Sequence, residues 1–412
     1  MTTTEATPKV QPFKFTAFEQ KDYNYRVQRV REKMAQAEID VLLVTDLSNI
    51  CYLTGFQTLV SDWYSCLILP AQGNLVLHVC DLEVDLGRVH TNVERIESIM
   101  WSRMDEAGTE LALIIDSLNS TPKKIGLESR QKGLTPYAYS KLCSAFPNAI
   151  VADASGLVTR IRAVKSPTEI TYMRKAGLYS VAGLTAAEAI IQEGITDNDI
   201  AAAASAGMIR AGSEYFSIDP IIRTGDWHAI VHSSFRRNKI KRGDPIIMEM
   251  SGVHERYNAP LYSTAIAGRA SDSTRLLSDV ALHCLETLYS NLKPRRTMRD
   301  VLTSTKCELM SLDARTRLGT RIVGSTLADY LTEKFRSWKA YPVGLAFPPS
   351  WPENSIWLAE SDQILVPGMC FHACYSFRVF GEVAAGFGDS IAITEEGFEI
   401  LTPRTKRLLE VF

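Results

Sequence analysis

Apolar residues recur at helical spacing from Tyr23 to Ala37 (Tyr23, Val27, Val30, Met34), with charge on the other face, which predicts an amphipathic helix. Val41-Leu42-Leu43-Val44 predicts a short buried strand closed by Thr45-Asp46. Cys66 to Leu69 and Leu75 to Val79 predict a hairpin across Gln72-Gly73-Asn74. Taken by itself, Ser48 to Phe56 reads as a strand and a turn. A helix around 106–117, a strand from Lys124 to Leu127 and a helix around 136–146 complete an α/β alternation.

A boundary is visible near Leu157 to Ile170. Ser166 caps a helix, Pro167 takes its first turn and Glu169 supplies the capping-box acid. That helix is expected to run towards Ile191 and to end at Gly194, with Thr196-Asp197 capping an Ala-rich successor. From Ser217 the pattern turns to strand, and Pro220 to Arg223 leads into an extended stretch from Thr224 to His232. Asp244 to Gly268 reads as two strands joined by a polar turn: an apolar run at Ile246-Ile247-Met248, a break at Ser251-Gly252, and a second strand from Tyr257 to Ala267. An amphipathic helix over 275–294 follows, then one capped by Thr297 and reaching about Leu312. Tyr341 to Phe347, Met369 to Phe380 and Ser390 to Thr394 predict further strands, with Glu395-Glu396-Gly397 as the last hairpin turn.

One residue breaks the pattern. Glu249 places a carboxylate inside an apolar run, where burial costs several kcal/mol unless the group is paired or hydrogen-bonded. It therefore has either a structural partner or chemical work.

Composition narrows the classes. The 412 residues are enough for two domains, and 46% hydrophobic with 22% charged residues is the balance of a globular protein. A net charge of -2 gives no field that would draw nucleic acid or an anionic membrane. The basic cluster Arg236 to Arg242 reads as a solvated loop. Eight cysteines without a CxxC pair predict buried free thiols in a reducing compartment rather than a disulfide frame or a zinc site. Residues 1 to about 15 are polar and predict a loose arm rather than a signal peptide; with no long apolar run, a cytoplasmic location is expected.

Three strings carry a family resemblance. Arg162 to Ala176 (R-x-x-K-S-P-x-E-I-x-x-M-R-x-A), Ser48 to Phe56 (S-N-x-x-Y-L-T-G-F) and the strand pair around Glu249 are similar to the creatinase/aminopeptidase P/methionine aminopeptidase family, the pita-bread fold. The resemblance implies an α/β (α+β) chain: a small creatinase-type α/β domain over residues 1–160 and a pita-bread catalytic domain over 161–412. In the family's metallopeptidases Asp, Asp, His, Glu and Glu hold two metal ions. The matching positions here are Glu249, Pro260, Val343, about Cys374 and Gly388, so the resemblance implies no catalytic metal.

What survives is acid–base chemistry. His232 keeps the family's spacing, seven residues after Gly225, and the resemblance makes it the general acid/base. His228 would share its face in an extended strand. On the strand after Pro367-Gly368-Met369, alternation places Cys370, His372 and Cys374 on one face. Glu214 precedes the His232 stretch and could meet the same cleft. The resemblance is strongest to metal-free members of the creatinase and ectoine hydrolase type, through Glu249 to Gly252, Arg256-Tyr257, Pro260 to Thr264, Ala340 to Trp351 and Pro367 to His372. It implies a carboxylate, Glu249, holding a cationic substrate, with Tyr257, Tyr262, Tyr341, Trp351, Trp63 and His228 as further binding side chains. The last-strand segment Ala384 to Gly388 lacks the acid such members carry there.

The function so implied is metal-independent hydrolysis of a C–N bond in a small amidine, guanidine or amide compound, with no cofactor. The alternatives are a catalytically silent binding protein and a metallopeptidase with remodelled ligands. A homodimer is expected, with the aromatic loop Thr58 to Tyr64 at its interface.

Overall fold

The computed structural model describes residues 13–118, 121–130, 134–316, 340–353, 362–379 and 381–412. Most of the expected N-terminal arm, and Phe380 at the end of an expected strand, lie outside them. The chain divides into two compact units, Met1–Arg162 and Ala163–Phe412. No helix among the described residues is long and apolar enough to cross a membrane.

The first unit contains α1 (Gln20–Gln36), β1 (Val41–Val44), α2 (Leu47–Thr54), β2 (Ser65–Pro70), β3 (Val76–Cys80), α3 (Val84–His90), β4 (Arg95–Ile99), α4 (Ala107–Ser117), β5 (Lys124–Leu127), α5 (Pro136–Ala145), β6 (Ile150–Asp153) and α6 (Leu157–Arg162). Its strands form one sheet in the order β4-β3-β2-β1-β5-β6. The stretch Ser48 to Phe56 is not a strand and turn but helix α2. The reason is capping: the Asp46 side chain accepts from Asn49 N, and Gly55 ends the helix in the left-handed region at φ 86°. The buried Glu128 carboxyl fixes this corner, accepting from Thr45 N (3.0 Å), Asp46 N (3.0 Å) and Asn49 Nδ2 (2.6 Å).

The second unit contains α7 (Pro167–Glu188), α8 (Asp197–Ala211), β7 (Ile221–Arg223), β8 (Pro245–His254), β9 (Tyr257–Ala267), α9 (Asp272–Asn291), α10 (Met298–Thr316), β10 (Ala340–Pro342), β11 (Cys370–Val379), β12 (Val383–Ile393), β13 (Phe398–Ile400) and β14 (Leu409–Val411). The sheet runs β10-β11-β12-β9-β8-β7, with β13 on β12 and β14 on β9. Ser166 and Glu169 form the expected capping box at the start of α7. The strand expected over Tyr341 to Phe347 shrinks to β10, after which Val343 and Leu345 make only single bridges, to Pro352 and Tyr257.

Alternation along the central strands sorts the two faces of this sheet. Ile246, Met248, Met250, Leu261 and Ala265 pack on Leu184, Ile200, Ala204 and Met208 of α7 and α8. Phe371, Ala373, Tyr375, Phe387 and Ile391 pack on Leu277, Cys284 and Leu288 of α9 and Leu309 of α10. Strand register carries one face continuously across β8, β9, β12 and β11, through Met250↔Leu261, Gly388↔Tyr262 and Cys374↔Gly388. The helices therefore cover one face. Glu249, Tyr262, Gly388, Cys374 and His372 stand on the other.

Ser251-Gly252 does not break the first central strand, which runs unbroken from Pro245 to His254. Gly252 has a different task. A Cβ there would lie 2.5 Å from Ala176 O and 2.5 Å from Tyr179 Cβ, so its absence lets α7 lie directly on β8. Ser180 of α7 uses that closeness: its Oγ accepts from Gly252 N (2.7 Å) and donates to Ala259 O (2.6 Å). Gly252→Ala is expected to cost about 1–3 kcal/mol, the usual penalty for overpacking. Thermal unfolding of the variant checks this; an unchanged midpoint would contradict it.

Candidate active site

Glu249 lies opposite Tyr262 on β9 and Ile221 on β7. Its side chain keeps 16% exposure. Burial raises its pKa to about 7, against a lowering influence from the Arg223 guanidinium. His372 Nε2 lies 3.9 Å from Glu249 Oε1, just beyond hydrogen-bond length. The imidazole is fully buried against the backbone of Pro260 and Asp389. Burial lowers its pKa to about 4. Near neutral pH this is a carboxyl close to its own titration point beside a neutral imidazole.

Aromatic groups wall this pair on one side. Tyr341 lies opposite His372 across β10–β11, with ring centroids 5.3 Å apart at 63°. Trp351 Nε1 donates to Tyr341 Oη (2.9 Å), which ties the loop after β10 to the strand. On the other side, Tyr262 Oη accepts from Arg223 Nη2 (2.6 Å) and lies 2.8 Å from Ser376 Oγ. Burial raises the Tyr262 phenol to about 12, so it stays protonated. The Cys374 thiol shares the face, raised well above its ordinary range by burial and by Glu249.

The structure therefore brings together Glu249, His372, Tyr262, Tyr341 and Trp351. The segment of the two expected histidines also borders this face, where Ala229 packs with Ile247, Tyr262 and Ala384, but in a different backbone form from the one expected. Thr224 to His232 is not an extended strand: Gly225–Trp227 forms a 3₁₀ turn and Gly225 has φ 55°. His228 and His232 consequently do not share a strand face. His228 is buried and its Nδ1 pairs with Gly225 O at 2.6 Å, whereas His232 is exposed with a left-handed φ of 59°. Glu214 serves the β8–β9 turn. Its carboxylate accepts from the backbone N–H groups of Glu255 and Arg256, both at positive φ, and lies 3.6 Å from Arg256 Nη1. Tyr257 is fully buried and donates to Glu169 Oε1 (2.7 Å) at the start of α7. Trp63 belongs to the first unit, half-buried before β2.

Sequence reasoning passed over Arg223 and Ser376. Arg223 carried the same signal as Glu249, a charge in an apolar run, but its strand is only three residues long. Ser376 continues the alternation from His372 and Cys374.

The positions that would hold two metal ions do not fit them. Pro260 and Val343 offer no side-chain donor and are buried. A Cβ at Gly388 would lie 2.8 Å from Cys374 Cβ, so the ladder is closed to any larger side chain there. No three His, Cys, Asp or Glu side chains among the described residues are grouped to hold a metal ion.

Comparison with known proteins places this site in a family. Residues 26–164 match the creatinase/prolidase N-terminal domain, and residues 171–395 match metallopeptidase family M24. An ectoine hydrolase from Halomonas elongata is 27% identical over 410 residues, covering 95% of this chain and 98% of the relative. An Xaa-Pro dipeptidase from Pyrococcus horikoshii is 23% identical over 388 residues, covering 94% of this chain and 99% of the relative. Among solved structures, an Xaa-Pro dipeptidase from Bacillus anthracis aligns with a TM-score of 0.75 at 21% identity, over 94% of this chain and 100% of that one; it supports the pita-bread fold. With its family model matched over more than half its length, the chain belongs to metallopeptidase family M24, a family of hydrolases.

Proposed function

We propose that this protein is a metal-independent hydrolase of a C–N bond in a small amidine, guanidine or amide compound. The observation that carries the reading is the replacement of the family's metal-holding positions by Pro260, Val343 and Gly388, which leaves Glu249 beside His372 as the titratable pair on the sheet's site face. The ectoine hydrolase similarity supports it. Glu249 has the acid strength that proton transfer near neutral pH needs. As carboxylate it holds the cationic centre and takes a proton from the attacking water; as acid it returns that proton to the leaving nitrogen. His372, neutral beside it, keeps a second positive charge out of the site. Tyr341 and Trp351 offer aromatic surface to a cation. In this reading Glu249 takes the acid–base role that the family resemblance gave to His232, and the protein acts as a homodimer.

A panel of small amidines, guanidines and amides, followed by release of ammonia or amine, tests the activity. The carboxylate must be ionised to accept a cation, so kcat/KM should rise through about pH 7 and level off above it. A profile falling through that range would contradict the assignment of Glu249 as base.

A further inference from the structure

Glu255 and Arg256 make the β8–β9 turn at φ 49° and 65°, between the opposed residues His254 and Tyr257. A two-residue hairpin turn with both central residues left-handed is ordinarily built from Asn-Gly or Asp-Gly, because a Cβ crowds the backbone in that region. Two long charged residues adopt it here, and such backbone persists only where the surroundings hold it. Glu214 is one hold, accepting from the N–H groups of both residues.

What the turn gains is the placement of one guanidinium. Arg256 is fully buried. Its Nη1 donates to Tyr215 O (2.8 Å), and its Nη2 to Ser217 Oγ (3.2 Å) and Ala346 O (3.3 Å). The guanidinium carbon lies 3.8 Å from the Tyr215 ring centroid and 5.0 Å from that of Phe347. The carbonyl of Arg256 accepts from Ala346 N (3.1 Å). Asn258 adds to the same grip, donating to Gly344 O from its N–H (2.8 Å) and from Nδ2 (3.3 Å). Arg256 thus reaches past its own hairpin to the loop after β10. Sheet pairing does not set the path of that loop, since Val343 and Leu345 make only single bridges. The loop joins Tyr341 to Trp351, whose Nε1–Oη bond closes the aromatic wall beside His372.

We propose that Arg256 is a positioning residue for this site: it sets the path of residues 343–347 and so seats the Trp351 ring against Tyr341, which fixes how closely a cationic substrate packs on that surface. The substrate half rests on the function proposed above; the seating of Trp351 rests on the contacts of Arg256 and Asn258. A planar fork lets one side chain serve Tyr215, Ser217 and Ala346 together, which an ammonium group cannot do.

Near-ultraviolet circular dichroism of the full-length protein, with and without Trp351→Phe, isolates the signal of Trp351. The wild type should show a distinct contribution, lost in large part in Arg256→Gln and in smaller part in Arg256→Lys, with the far-ultraviolet spectrum unchanged. On the best cationic substrate from the panel, Arg256→Gln should raise KM about three- to thirtyfold, the worth of a cation–π contact, with kcat little changed. A wild type without a Trp351 contribution overturns the proposal, as does an Arg256→Gln protein that keeps the contribution or leaves KM unchanged. Should Arg256→Gln fail to fold, an Arg256→Lys protein with the wild-type Trp351 signal and KM overturns it. If the Trp351 signal depends on Arg256 but no C–N bond is cleaved in any compound, the positioning role stands and the proposed hydrolase function falls.

Discussion

Glu249→Gln is expected to lower turnover by two to four powers of ten, roughly the contribution of a positioned acid–base group. The amide keeps the shape and can still touch an N–H group, but it can neither take a proton from water nor return one. The same variant should become relatively more stable as pH rises. Burial lifts the Glu249 pKa from 4.5 to about 7, so the folded protein holds this proton more tightly than the unfolded chain does. Its contribution to stability is fully present below about pH 4.5 and is lost as pH rises through about 7. With 16% of the side chain still exposed, the loss should be on the order of 2 kcal/mol. His372 has the opposite sign. Its pKa is lowered from 6.5 to about 4, so its contribution is present above pH 6.5 and lost as pH falls towards 4. Denaturant unfolding of wild type and Glu249→Gln at pH 5 and pH 8 separates the two effects: the variant should gain on the wild type at the higher pH. Equal differences at both would mean that Glu249 is ionised throughout.

The second large effect is on stability and lies in the buried Lys165–Glu353 pair. Lys165 Nζ and Glu353 Oε2 are 2.7 Å apart and both side chains are 1% exposed. The pair brackets Gly344, where a Cβ would lie 2.5 Å from Glu353 Oε1 and 2.7 Å from Lys165 Cε. Lys165 also fixes its own backbone to Gly368 through an N–H···O bond of 2.9 Å. The pair thus ties the residues before α7 to the loop that carries Trp351. Lys165→Met should cost about 3–5 kcal/mol, because it removes one partner of a buried ion pair. The double variant Lys165→Met with Glu353→Leu should recover most of that loss. Chemical denaturation of the two single variants and the double one checks it. A Lys165→Met protein as stable as the wild type would show that Glu353 does not depend on the lysine.

These effects also show which parts of the molecule were legible in the sequence. Element order was, because period and caps agreed locally: Val41–Val44 and Lys124–Leu127 are strands at the expected residues, and Ser166 starts α7. Glu249 stood out because a carboxylate in an apolar run has few benign explanations. His372 followed from simple alternation on β11. The shared face expected for His228 and His232 failed because alternation was carried through a turn: Gly225 adopts φ 55°, and the periodicity of a strand ends there. Glu214 was ambiguous for a different reason. Its partners are backbone N–H groups some forty residues onward, at a turn whose positive φ values no pattern of side chains reveals. The contact of Trp351 with Tyr341 depends on how the loop after β10 closes, which period and composition do not encode.

The proposed C–N hydrolysis proceeds without a metal ion. The measurement that tests it most directly is turnover of the best substrate from the panel by protein purified through chelator, with metal content determined on the same sample. Full turnover is expected at far less than one metal ion per chain, with no gain when zinc, manganese or cobalt is restored. Activity that vanishes with the chelator and returns in proportion to added metal would contradict it.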